Sequence, residues 1–247
     1  MSIETIKRDN LVTTRSKAER YLRMTRLSKE KGSPPRKRLT AGERRAVIEV
    51  AATELFAERG YRGASIEEIA RRSRVTAPVV YDHFPSKLDL YRQLLEGHFA
   101  QLRGVWRHHW PGDDPPVARA ARSIDAWFSY VEQHPGAAKL LFREPSGDRE
   151  AEAVHAEVSA GSRAEVMKMF VAEPGAEGIA GSLAAEGLEM AWVVLRGVLQ
   201  GLALWWVDHL DVPRERVVAT AMNSLWIGFE RAVAGEAWMP AQLDQPG

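Results

Sequence analysis

SIEEIARRSRVTAPVVYDHFPSK, residues Ser65–Lys87, reads as two short helices, a tight turn between them and the start of a third helix. Ser65 is an N-cap with Glu68 three residues on, the spacing of a capping box. Ile66, Ile69 and Ala70 then share one helical face. Ser73-Arg74-Val75 breaks that period. Thr76 is a good cap for the next helix, and Pro78 sits in its first turn, where a missing N–H costs nothing. Val75, Val80 and Phe84 fall on the inner side of this helix, whereas Ala77, Tyr81 and His83 fall outside. Ser86 caps once more, with Asp89 three residues later. The pattern is helix-turn-helix: a second helix that presents short and polar side chains from its first half, held by a small apolar core.

Upstream, Thr40 and Glu43 open a further helix with the same box, and Val47/Ile48, Ala51/Ala52 and Leu55/Phe56 give it a broad apolar stripe up to Gly60. Downstream, a long helix from Ser86 carries Leu88, Tyr91, Leu94, Leu95, Phe99, Leu102, Val105 and Trp106, and ends before Pro111-Gly112. Residues 113–247 read as five more helices, separated by His134-Pro135-Gly136, Pro145-Ser146-Gly147, Pro174-Gly175 and Asp211–Pro213. No stretch alternates as a strand would, so the expected class is all-α. The expected division is a basic arm over 1–38, a helix-turn-helix domain over 39–96, a larger helical domain over 97–236 and a tail over 237–247.

The chain has 247 residues, no cysteine and a formal net charge of +1. Cysteine-free composition excludes disulfides and thiol chemistry and fits a reducing compartment. No N-terminal apolar region reads as a signal peptide, so the expected location is the cytoplasm. The most apolar run, Leu188–Val207, is interrupted by Glu189, Arg196 and Gln200, which favours a buried or dimer-forming helix over a membrane span. The small net charge hides an asymmetry. Residues 1–40 hold twelve Lys/Arg against four Asp/Glu, residues 41–96 hold nine of each, and the remainder holds 13 basic and 20 acidic residues. A +8 arm therefore precedes a neutral head and a −7 body. The arm is either a solvated tail or a segment that follows DNA phosphates, and the two are compatible.

The run from Arg44 to Glu96 resembles the DNA-binding domain of the TetR family of one-component transcriptional regulators. LFAERGYRGASIEEIA (Leu55–Ala70) and VTAPVVYDHFPSKLDLY (Val75–Tyr91) carry the resemblance within that run, which is about one fifth of the chain. One departure stands out: where the family usually has Gly before the turn valine, this chain has Arg74. That position commonly needs a left-handed backbone, which costs a non-glycine residue about 1 kcal/mol. The resemblance implies a dimeric regulator whose last two helices pair with their copies, whose long helix transmits ligand binding to the head, and whose habit is repression. A two-fold site is also the physical expectation, because one recognition helix reads few base pairs. Small residues (Gly187, Ala191, Gly197, Gly201, Ala203) beside large ones (Leu188, Trp192, Leu195, Leu199, Trp205, Trp226) suit these helices to close pairing.

Tyr81 and His83 read as backbone contacts of the recognition helix. Ser65, Thr76 and Lys87 stand at helix N-termini, which attract phosphate, and the resemblance places phosphate contacts there too. Base reading falls to Thr76, Ala77 and Pro78, small side chains suited to thymine methyls. Arg45, Arg62 and Arg74 are candidate supporting cations, or members of a solvated face. In the second domain an effector pocket is expected among Trp106, Trp127, Phe128, Phe142, Phe170, Trp192 and Trp226, with Arg196 facing an anionic group on the effector or sitting in a salt bridge. Aromatic residues at helical spacing also serve as core; eight tryptophans in one chain favour a wide apolar cavity and a hydrophobic effector, a fatty acyl species or an aromatic drug-like molecule. No metal site or cofactor is expected: His108-His109 is an adjacent pair that a helix does not aim at one ion. There is no phosphate loop and no nucleophile elbow, so no enzymatic activity is expected. The competing reading is a helical protein–protein module whose helix-turn-helix is architectural.

Overall fold

The computed structural model describes residues 39–171 and 185–233. Among the described residues no strand occurs, and the helices follow the sequence punctuation: α1 Ala41–Gly63, α2 Ile66–Ser73, α3 Ala77–His83, α4 Lys87–His109, α5 Pro116–Gln133, α6 Pro135–Phe142, α7 Arg149–Val171, α8 Ala185–Trp206 and α9 Arg214–Val233. The arm over 1–38 and the tail over 237–247 lie outside the described residues. The chain forms two compact units. The first takes residues 39–97 with 143–158, and the second takes 98–142 with the described residues from 159 onward. The segment 143–158, grouped with the second domain on sequence, packs with the first unit.

In the first unit α1, α2 and α3 pack against one another. Thr40 closes a complete capping box: its Oγ1 accepts from the Glu43 N–H at 3.2 Å, and the Glu43 carboxylate accepts from the Thr40 N–H at 2.8 Å. The stripe Val47, Ile48, Ala51, Ala52, Leu55 and Phe56 is buried throughout. Val47, Ile48, Leu55 and Phe56 each contribute about 1.5–3 kcal/mol when fully removed from water. Gly60 has φ 68° and kinks α1, giving one more turn before the Ala64 cap. Ile66, Ile69 and Ala70 bury the inner face of α2. Arg72 ties α2 to α1 through both Glu58 oxygens at 2.9 and 2.7 Å, and reaches Glu68 at 3.2 Å.

Two expected caps are built differently. Ser65 accepts from the Glu68 N–H at 3.2 Å, but the Glu68 carboxylate bonds Arg71 and Arg72 instead of returning to the cap. Thr76 makes no side-chain cap bond at all. Ser86 caps α4 as expected, accepting from the Asp89 N–H at 3.0 Å.

In the second unit α5 packs on α9 and α6, and α8 on α9 and α6. Its core is aromatic. Trp127 stacks on Phe142 with centroids 5.5 Å apart and meets Phe128 edge-on at 5.0 Å, while Phe128 meets Trp206 edge-on at 5.8 Å. The sequence offered Trp205 for helix pairing and did not single out its neighbour Trp206. The structure buries Trp206 fully, its indole N–H donating to the Val212 carbonyl at 2.8 Å, and leaves Trp205 48% exposed. Arg214 holds the start of α9 to α5 through Asp125 at 2.9 Å and Glu132 at 2.5 Å. No helix among the described residues is long and apolar enough to cross a membrane.

Candidate nucleic-acid interface

The recognition helix α3 is seven residues long and is pinned by two apolar side chains, Val80 within it and Phe84 just after it, both fully buried. Everything else it carries is turned outward to some degree. Thr76 and Pro78 are exposed, Ala77 and His83 are half-buried, and the Tyr81 ring is 49% exposed. The missing cap bond at Thr76 leaves an exposed hydroxyl and methyl at the front of the helix, beside the Pro78 ring. Small apolar and hydroxyl groups in that position suit the major-groove edge of an A·T pair.

Arg74 occupies the turn with φ 58° and ψ 36°, the left-handed conformation expected of a glycine. Its N–H bonds the Arg71 carbonyl at 3.4 Å and the following Val75 N–H bonds the Ala70 carbonyl at 3.0 Å, the paired closure of a helix that ends in a left-handed residue. The left-handed turn expected there is thus kept, with an exposed Arg74 accepting the strain shortly before α3 begins.

Two cations assigned to DNA by sequence are engaged inside the head. Arg45 bonds Glu49 at 2.9 Å and Gln93 at 2.5 Å, and its guanidinium lies 4.6 Å from the Phe84 ring centroid. It braces the buried end of α3 against α1 and α4, which makes it a support of the reading helix. Lys87 donates to the Ala64 carbonyl at 2.9 Å and sits 4.2 Å over the Tyr61 ring. Burial holds its pKa below the ordinary lysine value, with Asp148 pulling the other way. An ammonium has three N–H groups, so this anchoring is compatible with a phosphate on the outer side. Ser65 is exposed, with its oxygen capping α2.

Behind Lys87 lies a support that the sequence did not reveal. Tyr61, Phe56 and Tyr91 form a ring cluster with centroids 5.1–5.9 Å apart. The buried Tyr91 hydroxyl meets Nδ1 of the buried His155 at 2.9 Å, and Arg92 makes a two-pronged pair with Glu157 at 2.9 Å on each prong. Burial raises the Tyr91 pKa, so its hydroxyl stays protonated. Asp148 accepts from the Ala151 N–H at 3.0 Å, and Gly147 packs against Arg62 with φ 77°. The start of α7 is therefore bolted to α1 and the start of α4. A tyrosine on the apolar stripe of α4 was the one available signal, since a buried hydroxyl calls for a partner.

The expected effector residues divide. Trp106, Trp127 and Phe128 are buried, Phe142 and Trp192 are half-buried, and Arg196 is exposed on α8. The side chains of Phe170 and Trp226 lie outside the described residues. The structure brings Trp127, Phe128 and Phe142 together in one ring cluster. No group of three potential metal ligands occurs among the described residues.

Comparison with known proteins agrees with this geometry. Residues 48–94 match the family described as bacterial regulatory proteins, tetR family. The match falls on the helix-turn-helix head, from within α1 to within α4, and so agrees with the turn and recognition-helix geometry described above. The HTH-type transcriptional activator FasR of Mycolicibacterium smegmatis is 36% identical over 105 residues, which are 42% of this chain and 48% of that protein. The chain spans about half the length of the curated relatives that head the comparison. In fold it is similar to a TetR-like regulator from Rhodococcus sp. RHA1, with TM-score 0.63, 18% identity, and 80% of this chain and 100% of that one covered. It is also similar to FadR from Bacillus subtilis, solved in complex with stearoyl-CoA, with TM-score 0.54, 19% identity, and 76% and 97% covered.

Proposed function

We propose that this chain is a homodimeric, ligand-responsive regulator that binds a two-fold duplex operator through Thr76–His83 and leaves it when a hydrophobic acyl molecule enters the second unit. The observation that carries the reading is the head itself: a short helix pinned by Val80 and Phe84 that turns Thr76, Pro78 and Tyr81 outward. Phosphate contacts fall to Tyr81, His83, Arg74 and the outer side of Lys87.

Pairing through the last two helices is supported by an exposed apolar stripe on α8. Met190, Val193, Val194 and Trp205 are 64%, 60%, 58% and 48% exposed, with Gly197 and Gly201 on the same side. Four large apolar groups left in water on one helix favour an interface, and the two glycines allow a partner helix to approach closely. The acyl character of the effector is supported by the aromatic core of the second unit and by the likeness in fold to FadR, whose solved complex holds stearoyl-CoA.

The test is to form a complex with operator duplex at low salt, follow it by fluorescence anisotropy and add stearoyl-CoA. Release at micromolar ligand supports the account. An unchanged complex at saturating ligand removes the acyl effector, and tighter binding replaces repression with activation.

A further inference from the structure

Ser123 lies in the middle of α5 and is fully buried, yet its hydroxyl finds no hydrogen-bond partner among the described residues. A buried helical hydroxyl ordinarily bonds the carbonyl four residues earlier. This chain does so at the buried Ser73, to Ile69 at 2.7 Å, and Thr53, to Glu49 at 2.8 Å, and at the exposed Thr220 and Ser224, at 2.9 and 2.8 Å. Ser123 has the same option and does not take it. The great majority of buried polar atoms in native proteins are paired, so an orphan of this kind asks for a partner beyond the described residues, and a bound molecule is one that can supply it.

The surroundings say which chemistry that partner has. Along α5, Ser123, Trp127 and Tyr130 recur at the spacing of one helical face. Trp127 is buried in the aromatic cluster, and the Tyr130 hydroxyl is held by Nδ1 of His98 at 2.6 Å. Charged neighbours on the helix are engaged elsewhere: Arg119 over the Trp110 ring, Arg122 with Asp114, and Asp125 with Arg214. A carboxylate placed beside Ser123 would lack a committed cation and would be costly to bury. A neutral acceptor oxygen meets no such penalty. A second buried orphan in the same unit, the Trp192 indole N–H, can only donate, and so also calls for an acceptor.

We infer that Ser123 donates its hydrogen bond to the ester or thioester carbonyl of the acyl effector. Ser123 is thus a specificity residue that separates acyl compounds from alkyl compounds of the same length. The inference rests on the acyl-effector reading above.

Calorimetric titration of the full chain with stearoyl-CoA, and with the S-octadecyl thioether of coenzyme A, tests it. The two probes share tail and head and differ by the carbonyl. Ser123→Ala should weaken stearoyl-CoA binding by about threefold to tenfold, the worth of one neutral hydrogen bond, and leave the thioether unchanged. Without ligand the same variant should melt higher than wild type, because it removes an unsatisfied buried hydroxyl. Equal binding of stearoyl-CoA by variant and wild type would overturn the inference, as an internal water would then be the partner. Equal losses on both probes would overturn it too, by showing packing alone, and so would a lower melting temperature without ligand. If wild type binds neither probe, the acyl-effector reading itself fails and takes this inference with it.

Discussion

Replacing Arg74 separates what its backbone does from what its side chain does. The residue sits at φ 58° and ψ 36°, where a β-carbon crowds the following carbonyl. That conformation costs an L-residue about 1–2 kcal/mol, and glycine avoids it at an unfolded-state cost of about 0.5–1 kcal/mol. Arg74→Ala and Arg74→Gly both lose the guanidinium and differ only in the β-carbon. The glycine variant should therefore be the more stable of the two by about 0.5–1 kcal/mol, measured as a shift in urea midpoint at unchanged m-value. Salt dependence of duplex binding reads the side chain. If Arg74 touches a phosphate, both variants lose close to one unit of slope equally, since counterion release scales with contacts neutralised. Equal stability of the two variants would refute the strained turn. A slope that differs between them would show that the backbone change, not the lost charge, alters DNA binding.

Other consequences are as direct. Tyr91→Phe removes the 2.9 Å bond to His155 inside a buried contact and should destabilise the chain by about 1–2 kcal/mol in urea unfolding, with His155→Phe coupled to it in a double-mutant cycle. Arg45→Ala should lower stability and weaken DNA binding without changing the salt slope, because its guanidinium supports Phe84; a loss of one slope unit would instead assign it a phosphate. Hydrogen bonds from Arg71 and Arg72 hold the Glu68 carboxyl at about 2, below its ordinary 4.5. A depressed folded pKa contributes stability above the unfolded value and loses it as pH falls through the folded one. The melting-temperature gap between wild type and Glu68→Gln should accordingly shrink as pH falls from about 5 to about 2, and a constant gap would contradict that ion pair.

Much of the head was legible before any coordinates. Thr40 and Ser86 cap as their local rules say, the stripe from Val47 to Phe56 is buried, and Ser65 caps α2 without the reciprocal Glu68 bond; Gly60 takes the left-handed conformation but kinks α1 instead of ending it. Arg74 was legible as a conflict between residue and turn, and the structure resolves it as strain. What stayed hidden depends on long-range partners. Nothing near Lys87 in sequence says that its ammonium lies over Tyr61, and nothing in residues 143–158 says that they join the first unit. Trp205 and Trp206 are adjacent and chemically identical, so only the packing of α8 decides which is core. The bracing role of Arg45 was hidden for the same reason: Phe84 and Gln93, which it touches, are 39 and 48 residues away.

The central claim is that this head reads duplex DNA. Its most direct test is a salt titration of binding by anisotropy, comparing random duplex with the DNA upstream of the chain's own reading frame. The account predicts a steep salt slope, a clear preference for the upstream duplex and two chains per bound site. Absence of binding to either duplex at low salt would contradict it and leave the helix-turn-helix as architecture for a protein partner.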